Sequence, residues 1–159
     1  MRPAFLNSSK RSSISGLLSL GGVTRTISVA SGAASPDLLI SANIIEGSAS
    51  AGITKTGAGQ MTLSGSNSFT GVLTIDGFVI LANDSAVGAT GSATNRTELH
   101  ANAFLLVQGL DIGNEFLTLT SNDDFRSSGA ASWAGPITLN GDIFTLPSHR
   151  NLKKRLEIS

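Results

Sequence analysis

The sequence predicts an all-β fold in which short strands turn and stack repeatedly. Between Gly52 and Asn83, the apolar residues Met61, Leu63, Leu73, Ile75, Val79 and Leu81 recur at period 2. That spacing puts side chains on one face of a strand. Corners at Gly57-Ala58-Gly59, Gly65-Ser66-Asn67-Ser68 and Gly77 break these runs, and Gly and Asn supply the positive φ that sharp turns need. A four-residue strand ending in glycine recurs at residues 61–65, 73–77 and 137–141, with a looser copy at 105–109. Gly77, Gly109 and Gly141 are each 32 residues apart. Stacked rungs of this kind bury their apolar face only against their neighbours. At about 20 residues per coil, residues 22–146 supply about six coils. A β-sandwich, which also has short strands and frequent turns, is the competing arrangement.

Composition agrees with thin, repetitive layers. Of 159 residues only 14% are charged and 5% aromatic, while glycine reaches 18. Charged residues are about 25% of an ordinary domain. Net charge is zero, yet the span from Ser12 to His149 holds only Arg25, Lys55, Arg96 and Arg126 against ten acidic residues. An acidic body without a basic stripe argues against nucleic acid as a partner. The absence of cysteine excludes disulfides, thiolate metal sites and a cysteine nucleophile. No apolar run approaches the ~18 residues of a membrane helix, so this segment is not expected to insert into a membrane. Ile14 to Val23 is interrupted too often by Ser and Gly for a secretory signal.

The chain divides into three parts. Residues 1–20 read as an irregular N-terminal segment, with 1–13 poorly ordered. Residues 21–146 read as the β-solenoid, with one well-formed repeat at 52–83, and residues 147–159 as a basic tail. Short strands are expected at Leu17 to Leu20 and Thr26 to Val29, divided by Gly21-Gly22, and a longer apolar run spans Leu38 to Ile45. After the repeat, residues 84–97 lack strand patterning and read as a bend or one loose turn. Strand signal returns at Phe104 to Val107, Leu110 to Ile112 and Glu115 to Thr120, while residues 121–132 read as loop. A last strand pair starts at Pro136 and ends at Leu146. Thr62, Thr74 and Thr138, each between two apolar residues, are expected on a solvated outer face. Apolar stripes at helical spacing are absent, so no long helix is expected.

Gly52-Ile53-Thr54-Lys55-Thr56-Gly57-Ala58-Gly59, then Met61-Thr62-Leu63-Ser64-Gly65 and Asn67-Ser68-Phe69-Thr70-Gly71, resemble the autotransporter-associated β-strand repeat. The match is dense over about 30 residues, and Val72 to Leu81 continues it. Residues 115–119 and 133–139 resemble the rungs that accompany such repeats, and residues 25–29 resemble a preceding rung. The resemblance implies a right-handed parallel β-helix in the passenger of a large bacterial surface or secreted protein. It implies a stalk that assists export and carries no catalytic residues, with flanking coils of a longer protein as its partners. Two departures are expected to mark a fragment or truncated frame: barrel strands are missing, and the tail after Leu146 leaves the pattern. The solenoid ends are expected to be poorly capped.

Few residues could carry chemistry, and no catalytic, cofactor or metal site is assigned. His100 and His149 are far apart, whereas a metal site wants clustered ligands. Asp123-Asp124, Asp111 and Asp142 lack calcium-loop spacing and read as solvated loop carboxylates. Asp76, Asp111 and Asp142 near strand ends could supply a carboxylate pair for glycoside hydrolysis if stacking joined them. That makes a polysaccharide-active enzyme a remote alternative. Trp133 and the Thr/Asn-rich outer faces support another, a carbohydrate- or host-binding adhesin module with surface glycans as its partner. For the tryptophan, packing at a corner is the plainer reading.

Overall fold

Short apolar alternations between turns leave each strand one way to bury its inner face, against the coils before and after it. The computed structural model describes residues 10–100 and 102–141, which wind into a parallel β-solenoid of six coils. Coil one contains β1 (Ser12–Ile14), β2 (Leu17–Ser19) and β3 (Arg25–Ser28), and coil two β4 (Leu38–Ile40), β5 (Asn43–Ile45) and β6 (Ile53–Thr56). Coil three has β7 (Gln60–Leu63) and β8 (Leu73–Ile75), and coil four β9 (Phe78–Leu81) and β10 (Thr97–Leu99). Coil five has β11 (Phe104–Gln108) and β12 (Leu117–Leu119), and coil six β13 (Asp124–Ser128) and β14 (Ile137–Leu139).

Two six-stranded sheets run the length of the described solenoid. The first stacks β1, β4, β7, β9, β11 and β13, and the second stacks β3, β6, β8, β10, β12 and β14. A third side holds β2 and β5 in the first two coils and irregular segments thereafter. Every pairing is parallel, as in Ile53 with Leu73, Leu73 with Thr97, Thr97 with Leu117 and Leu117 with Ile137. This continuous parallel stacking rules out the sandwich. The third side absorbs differences in coil length, with residues 82–96 in coil four against residues 109–116 in coil five.

Period-2 alternation fills the interior. On the first sheet Leu38, Met61, Val79, Leu105 and Phe125 align in one inward rank, and Ile40, Leu63, Leu81 and Val107 in the next. The third side adds buried Ile44, Phe69, Val87, Ile112 and Trp133. Outward, the second sheet presents Thr26, Thr54, Thr74, Glu98, Thr118 and Thr138 in register. Thr62 differs from this pattern: it stacks between Leu39 and Ile80 and is buried rather than solvated.

Several expectations need correction. β1 forms inside the stretch read as irregular, whereas β2 lies on the strand expected at Leu17 to Leu20. The Ser-Ser-Ile sequence of β1 gives little strand signal, and pairing to β4 supplies the order. β13 falls where loop was expected, and β10 starts on Thr97, the last residue of the expected bend. In β13 (DFRSS) only Phe125 is apolar and inward; Arg126 and Asp124 pair with each other on the outer face, and the Arg126 guanidinium lies 5.1 Å from the Phe104 ring centre. Leu110 to Ile112 forms a single bridge, Asp111 to Ser132, instead of a strand.

The 32-residue glycine spacing does not follow the coils. Gly65 and Gly109 follow first-sheet strands, whereas Gly77 and Gly141 follow second-sheet strands. Nor do all repeat glycines serve positive φ. A Cβ on Gly65 would lie 1.9 Å from the Ala42 carbonyl oxygen, so close backbone approach is what demands glycine there. Positive φ is needed at the corners from second sheet to first, which use Gly57, Gly77, Asn102 and Asn122 in successive coils. Asn tolerates that region better than other side-chain-bearing residues. The strand expected to end at Leu146 and the 147–159 tail lie outside the described residues.

Candidate functional site

The residues that could have carried chemistry are not gathered. His100 is exposed at the end of β10, and His149 lies outside the described residues. Asp76 is exposed at the corner after β8, whereas Asp111 lies on the third side two coils further on. Stacking therefore does not join these two, and Asp142 lies outside the described residues. Asp111 is engaged at its own corner, accepting from the Ser132 hydroxyl and the Gly113 N–H, which together hold its carboxyl below the usual range. Among the described residues no group of three or more His, Asp or Glu could hold a metal ion.

One expected solvated carboxylate is structural, and the tryptophan is packed, as its plainer reading had it. Asp123 is fully buried, accepting from Ala103 N–H at 3.2 Å and from Thr120 N–H at 2.6 Å. Trp133 is buried, donates Nε1–H to the Glu115 carbonyl at 2.7 Å and meets Phe125 edge-to-face at 5.5 Å. An indole so enclosed offers no face to a sugar, so the glycan reading loses its aromatic platform.

What the fold does assemble is a set of side-chain ties between coils. Asp37 accepts from Gln60 N–H, Asn43 from Ser66 N–H, and Glu46 from Thr70 N–H, at 2.8, 2.9 and 2.8 Å. Asn67, nearly buried, accepts from Ile44 N–H at 2.9 Å and donates to the Ala86 carbonyl at 2.7 Å, joining coils two, three and four. Each tie satisfies a backbone group that the irregular third side or a corner would otherwise leave unpaired. The Thr70 hydroxyl and N–H hold the Glu46 carboxyl below its usual range.

Lys55 is the least expected of the repeat's residues. It is fully buried, stacked between Ile27 and Ile75, and donates from Nζ to the Gly57 carbonyl. Burial lowers its pKa, against the opposing pull of Asp76 and Asp37. A Cβ on Gly77 would come within 2.6 Å of Nζ, so that corner glycine also makes room for the amine. Counting charges treats Lys55 as surface, but its phase does not: it lies two residues from the inward Ile53.

Glu115 follows the same rule, two residues before inward Leu117. It is fully buried; Oε1 accepts from the Thr97 hydroxyl at 2.8 Å, and Oε2 has no hydrogen-bond partner. Burial pushes its pKa up to about 8, while the Thr97 hydroxyl and N–H pull the other way. Gly135 of coil six lies directly over it, where a Cβ would fall 1.9 Å from the Glu115 carbonyl oxygen. The acid is thus enclosed between Thr97 of coil four and Trp133 and Gly135 of coil six.

Comparison with known proteins finds one family. The passenger-associated-transport-repeat model matches residues 53–77, the stretch that runs from β6 through β8 and holds Lys55, Asn67 and the close-packed glycines. Neither a search of curated proteins nor one of solved structures returned a significant match. Residues 53–77 of this six-coil parallel β-solenoid are thus similar to a passenger-associated transport repeat.

Proposed function

We propose that this chain is a non-catalytic stalk segment of a bacterial surface or secreted passenger, and that it assists export by supplying coils that stack as they emerge. The observation that carries this is the match to the transport repeat at residues 53–77, seated in coils whose backbones approach closely at Gly57, Gly59, Gly65 and Gly71. Its Ser64, Asn67 and Thr70 side chains tie neighbouring coils together. The partners in this reading are further coils of a longer protein, above and below. Leu17 and Val23 in the first coil, and Leu139 in the last, remain exposed, which suits continued stacking. Among the described residues no helix is long and apolar enough to cross a membrane.

The test is an export assay. The chain is placed between an export signal and an outer-membrane barrel, and surface delivery is read by protease accessibility on intact cells. Delivery should fall when Gly65→Val breaks the repeat, and should recover with the native sequence. Equal delivery with the repeat intact, broken or replaced by an unrelated linker would remove the export role.

A further inference from the structure

The last three coils enclose a carboxyl group with no countercharge among the described residues. Glu115 has no exposed surface, one of its oxygens has no partner, and its single side-chain hydrogen bond comes from an uncharged hydroxyl. The charged groups on every element around it are turned elsewhere. Arg96 and Glu98 flank Thr97 on the outer side of β10 and bind each other at 2.6 Å. Asp111, on the loop before Glu115, accepts from Ser132 and Gly113. Asp124 and Arg126 pair on the outer face of β13, and residues 130–137 of coil six contain no charged side chain.

An ionised carboxylate in such a place lacks both water and a cation, a cost that paired or solvated acids do not carry. We propose that Glu115 is a proton-operated lock on the last coils: protonated, it lets coil six close over coil five, and ionised, it opens that junction. The inference stands apart from the stalk reading and holds whatever the chain is attached to.

The lid is built for a sharp response. Trp133 bonds to the Glu115 carbonyl and Gly135 packs on its backbone, so nothing bulky cushions the acid from coil six. Opening coil six gives the carboxyl access to water. A group at its ordinary value of 4.5 when open and about 8 when closed makes the open-to-closed ratio rise as pH increases. The rise is about tenfold per pH unit between those two values and levels off above them. Stability at this junction is therefore fullest below 4.5 and lost as pH climbs through about 8.

Trp133 is the only tryptophan in the chain and sits at the junction, so its fluorescence is a local reporter. The full chain is titrated from pH 5 to 9, following Trp133 emission and the melting midpoint. The expected result is a red shift and a falling midpoint in the wild type, and the loss of both in Glu115→Gln, whose amide cannot ionise. A flat wild-type profile, or an unchanged one in Glu115→Gln, overturns the proposal. Should Glu115→Gln fail to fold, Thr97→Val decides: it removes a donor that favours the charged form, so the transition must move to higher pH. An unmoved transition overturns the lock.

Discussion

The indole N–H of Trp133 reaches back one coil to the backbone carbonyl of Glu115, 2.7 Å away. A buried carbonyl deprived of its donor costs about 1–3 kcal/mol. Trp133→Phe keeps a ring against Phe125 but removes that donor, so it should destabilise the chain by about that amount. Urea denaturation followed by circular dichroism measures the loss.

Gly65 and Gly113 should respond very differently to alanine. At Gly65 the new methyl would lie 1.9 Å from the Ala42 carbonyl oxygen, and neighbouring coils cannot separate without losing their ladder. Gly65→Ala should therefore abolish cooperative unfolding. At Gly113 nothing lies within 4 Å, and only its φ of +57° opposes a side chain. Gly113→Ala should cost about 1–2 kcal/mol.

Glu46 sets an acid limit. Its pKa is lowered in the fold, chiefly by the Thr70 hydroxyl, so its contribution is present above 4.5 and is lost as pH falls through the lower folded value. Thr70→Ala should flatten the acid limb of a melting-point-versus-pH curve without moving the alkaline one. The effect will be small, because the carboxyl is open to solvent.

Lys55 acts in the opposite direction to Glu115. Its folded pKa lies below 10.5, so the folded state binds fewer protons there and gains stability as pH rises toward 10.5. Lys55→Met removes this gain. The stability difference between wild type and Lys55→Met should shift in favour of wild type between pH 7 and 10, measured by parallel denaturant melts.

The open first coil should drive self-association. Leu17 is 69% exposed and Val23 55%, beside β1 and β3, the edge strands among the described residues. Charged residues at an edge discourage pairing. Leu17→Lys with Val23→Lys should lower the sedimentation coefficient distribution toward monomer at concentrations where wild type associates.

Much of this architecture could be read from residues 52–83, because glycine corners and period-2 apolar residues are local signals. What could not be read was set by neighbours. β13 is a strand because β11 presents five backbone positions for Asp124 to Ser128 to pair with, not because of its own composition. β10 follows a segment with no pattern, and it forms because β8 and β12 flank it. Lys55 and Glu115 were visible by phase, two positions from Ile53 and Leu117, but treating charges as solvated hid them. Asp123 resembles a surface residue in sequence, and only the coil below shows what encloses it; Trp133 reads as packed, but its partners Glu115 and Phe125 come from the stacking.

The third side has a practical consequence. The two long sheets keep their register while the residues joining them vary from 109–116 in one coil to 82–96 in another. A foreign segment grafted at 88–92 would lengthen an excursion the scaffold already accommodates, and would project sideways without displacing a strand. Such a coil is a mounting point: cargo can be carried there while the spine beneath it stays in step.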